Sequence, residues 1–171
     1  MYFSSMENKS STKNKEQIKE LAMAVDGGLT VYIAVHNAIF RESATFKSFV
    51  KNLFGRGVPM SKLLEDSERL LPLWEAIHEK TEFFQRSTYS SLTKDEKYYF
   101  DLLSQYVDSV RGTVAALVDR QRLMNEGSKG GPNNPMTREL LKEKEKVYEM
   151  AVQKYLTIGR ELNAAAAIIF Q

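Results

Sequence analysis

Apolar residues recur in alternating steps of three and four along most of this chain, and no other feature constrains the fold as strongly. In the last segment, Leu141, Tyr148, Tyr155 and Leu162 lie seven residues apart. A stripe of this period occupies one face of an α-helix, whereas the residues of a strand alternate between two faces. No stretch alternates apolar and polar residues between turn signals, so we expect an all-α protein.

Glycines and prolines divide the pattern into four long segments. These segments begin near Asn14, Pro59, Thr93 and Pro135, and the first ends at Gly55. Long stripes of this spacing pack against one another, and short breaks make successive helices antiparallel. The sequence therefore predicts an up-down-up-down four-helix bundle with long helices, or five helices if 43–54 forms a short helix of its own.

Three local signals refine this prediction. Thr93, followed three residues later by Glu96, is a capping box, which indicates a helix start. Gly27-Gly28 interrupts the first stripe and predicts either a kink or a close approach of a neighbouring helix. Pro72 lies inside the second stripe, which keeps its phase across the proline, so we expect a kink near Leu70–Leu71 within one continuous segment.

Length and composition fit a single domain. Of the 171 residues, 43% are hydrophobic and 27% are charged, as is usual for one globular domain. Lys, Asn and Ser dominate residues 7–15, so we expect 1–15 to be a disordered leader and 16–171 to be one helical-bundle domain. No basic stretch followed by an apolar one is visible, which favours a cytoplasmic protein, with a removed signal left open.

Composition excludes several kinds of chemistry. The chain has no cysteine and two histidines, which excludes disulfides, thiolate metal sites, a thiol nucleophile and a three-histidine metal site. The net charge is +2, and no basic stretch interleaved with aromatic residues marks a nucleic-acid surface. We therefore expect no nucleic-acid partner, no cofactor and no catalytic residue, although a metal site needs separate consideration.

Glu75 and His78 have the Glu-x-x-His spacing that carries metal ligands in carboxylate bundles. A complete site needs a second such motif, but Ile33 stands where His36 would need a glutamate. Glu75 also follows the stripe residue Trp74 by one position, which turns it about 100° away from the core. The pair is therefore a weak metal candidate, with a histidine beside a solvated glutamate as the simpler interpretation.

A few polar residues lie on or beside the apolar stripes and would line a pocket between the helices. The candidates for such a ligand pocket are His36, Tyr32, Ser67 and Gln121. Polar residues at these positions more commonly set the register of a bundle, with their hydrogen bonds satisfied inside the core. A ligand-sensing pocket is the sharper hypothesis, and the sequence leaves both open.

The stretch from 46 to 54 is basic and amphipathic. Its apolar members form the candidate interaction surface, which consists of Phe46, Phe49, Val50, Leu53 and Phe54. Such a segment docks to a partner groove or to a membrane surface, or simply packs on the end of the bundle. Packing is favoured, and contact with a membrane surface is the less favoured alternative.

These observations favour a non-enzymatic helical bundle that acts through protein–protein contacts, as an adaptor, regulator, inhibitor or structural subunit. The expected partner is another protein or a second copy of the chain. The alternatives are a ligand-sensing bundle with a polar pocket between helices and, with less support, a ferritin-like metal carboxylate bundle. The resemblance is to the general bundle pattern and to no particular family.

Overall fold

The computed structural model describes residues 3–43, 59–129 and 138–170, and every regular element in these ranges is helical. The helices are α1 (Phe3–Ser43), α2 (Met60–Glu68), α3 (Leu70–Thr88), α4 (Lys94–Lys129) and α5 (Arg138–Ile169), with a 3₁₀ turn at Tyr89–Ser91. Because α2 and α3 continue one another, the chain forms four long rods, and the all-α bundle is confirmed.

Side-chain pairs establish the direction of each rod. Nδ2 of Asn14, near the start of α1, donates to the carbonyl oxygen of Ser91, at the far end of the second rod. Arg122 pairs with Glu68 and Arg111 with Glu75, so α4 runs antiparallel to that rod. Arg120 likewise pairs with Glu145, while Tyr99 near the start of α4 contacts Phe170 at the end of α5. The order is up-down-up-down.

The core lies where the stripes predicted it. The predicted stripes of the second and third segments are buried at every position: Met60, Leu63, Ser67, Leu70, Trp74, Ile77, Thr81 and Phe84, and Phe100, Leu103, Val107, Val110, Val114, Leu117, Gln121 and Met124. In α1 the predicted stripe is only partly correct. Four of its members are buried, namely Ile18, Val25, Tyr32 and Ile39. At two other positions the preceding residue is buried instead, Leu21 for Ala22 and Gly28 for Leu29. Burial of this apolar surface is the main driving force for folding.

Helix α1 begins earlier than the sequence suggested. The stripe suggested a start near Asn14, whereas the helix begins at Phe3. Asn14 is buried against Ser91, to which it donates two hydrogen bonds of 3.2 Å, and Ile18 is fully buried one turn later. These contacts join α1 to the end of the second rod. The division of the chain into a leader of residues 1–15 and a bundle domain of 16–171 remains a prediction.

The second rod breaks at Arg69, one residue before the predicted kink. Arg69 lies between α2 and α3 and keeps helical angles, with φ −63° and ψ −21°. Pro72 is the third residue of α3 and lacks the N–H that would bond the carbonyl of Glu68. The first turn of a helix tolerates proline, so α3 can begin at Leu70 and include Pro72. The stripe keeps its phase across the break at Arg69.

The possible fifth helix at 43–54 and the interaction surface from Phe46 to Phe54 lie outside the described residues, apart from Ser43 at the end of α1. Those two predictions therefore remain predictions.

At the end of the third segment, α4 continues to Lys129, two residues beyond the predicted end at Gly127.

The capping box at the start of α4 is confirmed. The backbone N–H of Thr93 donates to Glu96 Oε2 at 2.8 Å, and the N–H of Glu96 donates to Thr93 Oγ1 at 3.3 Å.

We expect Thr93→Ala to lower the free energy of unfolding by about 1 kcal/mol, measured by chemical denaturation, because it leaves an amide at the helix start without its acceptor. Thr93→Ser keeps the hydroxyl and is the control. Equal stabilities of Thr93→Ala and the wild type would contradict this.

Candidate functional site

A hydrogen-bonded aromatic cluster joins α1 to α5. The hydroxyl of Tyr148 lies 2.7 Å from the Tyr32 hydroxyl and 2.6 Å from Nδ1 of His36. Tyr32 and His36 lie one turn apart on α1, so both reach the same residue of α5. The sequence singled out Tyr32 and His36 as pocket candidates, and the structure brings them together on Tyr148.

Aromatic rings enclose these three polar groups. Phe40 stacks on Tyr148 with ring centroids 5.6 Å apart, and its ring also lies 4.5 Å from that of His36. On the other side, Tyr155 meets Tyr32 edge to face at 5.9 Å. The α1 and α5 backbones do not come close over their length, so large side chains fill the space between them. The cluster is therefore packed with side chains.

Arg120 of α4 forms the third side of the cluster. It is 4% exposed, and its guanidinium lies over the Phe40 ring, 4.9 Å from the centroid. Nη1 donates to Gln121 Oε1 at 2.7 Å, and Nη2 donates to Glu145 Oε1 at 2.8 Å. Gln121, another pocket candidate, thus joins the cluster through Arg120.

The sequence analysis did not single out Arg120 as a candidate. Its spacing carried a signal, because Arg120 lies three residues after the stripe residue Leu117 and directly before Gln121. That position is next to the buried face of the helix. A cationic side chain buried there needs hydrogen-bond partners, and its two terminal nitrogens find Gln121 and Glu145.

Burial sets the protonation of the cluster. Burial raises the pKa of Tyr148 to about 12 and raises the pKa of Tyr32 further. The pKa of His36 is lowered, mainly by burial and secondarily by the positive charge of Arg120. At neutral pH the three groups that share the Tyr148 hydroxyl are therefore uncharged, and Arg120 and Glu145 form an ion pair beside them.

Ser67, the fourth pocket candidate, is buried on α2. Its hydroxyl donates to the carbonyl oxygen of Leu64 at 2.7 Å, a local bond within the helix. This bond does not connect Ser67 to the cluster. A short hydroxyl that bonds its own helix can be buried without any ligand.

A surface groove of about 440 Å³ lies between α3 and α4. None of the four pocket candidates lines it; its lining is Leu71, Pro72, Trp74, Glu75, Arg111, Gly112, Val114 and Ala115. The ligand-sensing hypothesis placed an enclosed cavity beside His36, and this groove lies on another pair of helices.

The two metal candidates each face a residue of α4. Glu75 lies 3.3 Å from Arg111, and Nδ1 of His78 lies 3.2 Å from Asp108. Among the residues that the structure describes, no group of three or more histidine, aspartate or glutamate side chains is placed to hold a metal ion. Each of the two side chains thus has a partner across the α3–α4 surface.

The second half of α1 presents an uncharged surface to solvent. From Gly27 to Phe40 the chain contains no Asp, Glu, Lys or Arg. The exposed members of this stretch, which we call the α1 outer face, are Gly27, Thr30, Val31, Ile33, Ala34 and Ala38. Val31 is 47% exposed and Ile33 is 43% exposed. By contrast, lysines, arginines and glutamates are frequent on the exposed side of α5.

This apolar stretch of α1 could suggest a membrane span. None of the described helices combines the length and the hydropathy needed to cross a bilayer.

Comparisons with protein-family models, with curated proteins and with solved structures found no match.

Proposed function

We propose that this protein acts without catalysis, through contacts with other protein chains. The observation that carries the proposal is the α1 outer face, where solvent meets a helix surface with no charged side chain over 14 residues, Gly27–Phe40. Surface helices of globular proteins normally carry charged residues on the side away from the core. The centres of contact sites between protein chains are likewise depleted of charged residues.

The expected occupant is the same face of a second copy. An uncharged surface offers no complement to a charged partner, but two such surfaces meet without burying an unpaired charge. Gly27, Ala34 and Ala38 have small side chains, so two helix backbones can approach closely. Contact between copies about a two-fold axis brings the same residues together from both sides.

The size of the face predicts a weak association. Residues 27–38 span about 18 Å of helix, and a helix about 10 Å wide gives a patch near 200 Å². Stable complexes bury about 800 Å² on each partner. We therefore expect a transient dimer with a dissociation constant on the order of 100 µM, unless neighbouring surface adds to the contact.

Sedimentation velocity between about 10 and 500 µM tests this. We expect the weight-average sedimentation coefficient of the wild type to rise with concentration, and Ala34→Glu to abolish the rise, because it buries two carboxylates against each other. Gln153→Glu introduces the same charge on the exposed surface of α5 and is the matched control. A coefficient independent of concentration, or equal behaviour of Ala34→Glu and the wild type, would refute the proposal.

A further inference from the structure

The contact between His36 and Tyr148 has the components of a switch. His36 Nδ1 and the Tyr148 hydroxyl are 2.6 Å apart, and the Tyr32 hydroxyl lies 2.7 Å beyond. In the Nε2–H tautomer of neutral His36, Nδ1 accepts from Tyr148 and the Tyr148 oxygen accepts from Tyr32, and in the Nδ1–H tautomer both bonds run the other way. Each of the three groups carries one N–H or O–H proton, so each of the two hydrogen bonds has one donor and one acceptor.

Protonation of His36 disturbs this arrangement in two ways. Both ring nitrogens of an imidazolium are donors, so Nδ1 can no longer accept from Tyr148 and only one of the two hydrogen-bond arrangements remains. A second positive charge also forms beside Arg120, whose guanidinium shares the Phe40 ring with His36. Two like charges in a partly buried site repel each other strongly.

The surroundings offer little compensation. Among the residues that the structure describes, the titratable and charged groups around His36 are Tyr32 on α1, Arg120 on α4 and Tyr148 on α5. The carboxylate of Glu145 is the nearby negative charge, and it already accepts from Arg120 at 2.8 Å. A charged His36 is therefore stabilised by leaving the cluster for water.

We propose that His36 and Tyr148 form a pH-sensitive latch, which holds the second half of α1 on α5 at neutral pH and releases it when mildly acidic solution protonates His36. The latch depends on side chains alone, since the two backbones are not closely packed. It does not depend on whether the α1 outer face binds a second copy.

The pH range over which the latch opens follows from the pKa of His36 in the closed and open states. The pKa of His36 is lower in the folded state, so the open state binds the proton more tightly. The latch is strongest above the ordinary histidine pKa of about 6.5 and weakens as the pH falls from there to the pKa of the closed state. Below that second pKa the weakening is complete and stays constant.

Amide hydrogen exchange at about pH 7.5 and 5.5, corrected for intrinsic rates, tests the latch. We expect exchange of residues 29–40 and 141–155 to accelerate at least about threefold at the lower pH relative to residues 100–117. His36→Gln keeps a hydrogen-bonding side chain without a charge and should remove this acceleration.

The second histidine is the matched control. His78 is partnered by Asp108 on the α3–α4 surface, so His78→Gln should keep the acceleration. Tyr148→Phe keeps the ring and removes the hydroxyl, so residues 29–40 should exchange faster already at the higher pH. Unchanged protection in the wild type, or an acid-induced loss that persists in His36→Gln, would overturn the proposal. If His36→Gln does not fold, an NMR titration of the wild type decides, because the latch requires the pKa of His36 to lie below the ordinary histidine value of about 6.5.

Discussion

We expect Trp74→Ala to lower the free energy of unfolding by about 3–5 kcal/mol, the largest loss from any single substitution considered for this bundle. Trp74 is 0% exposed and lies where α3 faces both α1 and α4. Truncation removes the whole indole from between these rods. The surrounding helices cannot collapse fully into the space, because each is held along its full length by the rest of its stripe.

Urea denaturation followed by circular dichroism is the appropriate measurement, since the chain contains one tryptophan and the substitution removes the fluorescence signal. Phe83→Ala on the same helix is the control. Phe83 is 67% exposed, so its truncation should change stability by no more than about 0.5 kcal/mol. A loss below about 1 kcal/mol for Trp74→Ala would contradict the packing described for the second rod.

Trp74→Phe separates packing from hydrogen bonding at the same position. The indole Nε1 of Trp74 is buried, and it has no hydrogen-bond partner in the part of the chain that the structure describes. An unsatisfied buried donor costs about 1–3 kcal/mol. Phenylalanine removes this donor together with part of the ring, so we expect Trp74→Phe to lose much less stability than Trp74→Ala.

The long stripes could be predicted from the sequence because they repeat the same information many times. In the third segment, eight residues from Phe100 to Met124 independently indicate one buried face, and all eight are buried. One unusual residue, such as Gln121, does not change the result. The capping box at Thr93 is local and was predictable for a different reason, since both partners lie within one helical turn.

The two displaced positions in the α1 stripe were not predictable in the same way. Gly28 lies on the buried face, but a glycine adds no hydrophobicity to the pattern, so the pattern followed Ala22, Leu29 and His36 instead. The signal was present as a pair of glycines, which indicated a kink or a close approach. Only the position of the neighbouring rod decides between the two, and α1 runs through the pair as one helix.

The candidate site was predictable only in part, for a related reason. The stripes placed Tyr32, His36 and Gln121 next to the core, but they did not specify which residue of another helix each one meets. Those pairings depend on the axial position and rotation of α1, α4 and α5 relative to one another. Tyr148 and Arg120 therefore became visible as members of the cluster only in three dimensions.

Gly28 lies at a close contact between α1 and the second rod, and we expect the two neighbouring glycines to respond oppositely to alanine. A β-carbon at Gly28 would lie 2.5 Å from Ile77 Cδ1 and 3.4 Å from Trp74 Cζ2, whereas one at Gly27 would meet nothing within 4 Å. Gly27→Ala should therefore raise the free energy of unfolding by up to about 1 kcal/mol, the usual gain in helix propensity. Gly28→Ala makes the same gain but overpacks the core, at a cost of about 1–3 kcal/mol.

A double-mutant cycle with Ile77→Val tests the cause of this difference. Ile77→Val removes the Cδ1 atom that a β-carbon at position 28 would strike, and alone it should cost about 0.5–1.5 kcal/mol. Because the clash disappears, we expect Gly28→Ala to be tolerated in the Ile77→Val background, with a favourable coupling of at least about 0.5 kcal/mol. Gly27→Ala should show no coupling to Ile77→Val. Additive effects at Gly28 would mean that the helix spacing, and not the Ile77 side chain, resists the added carbon.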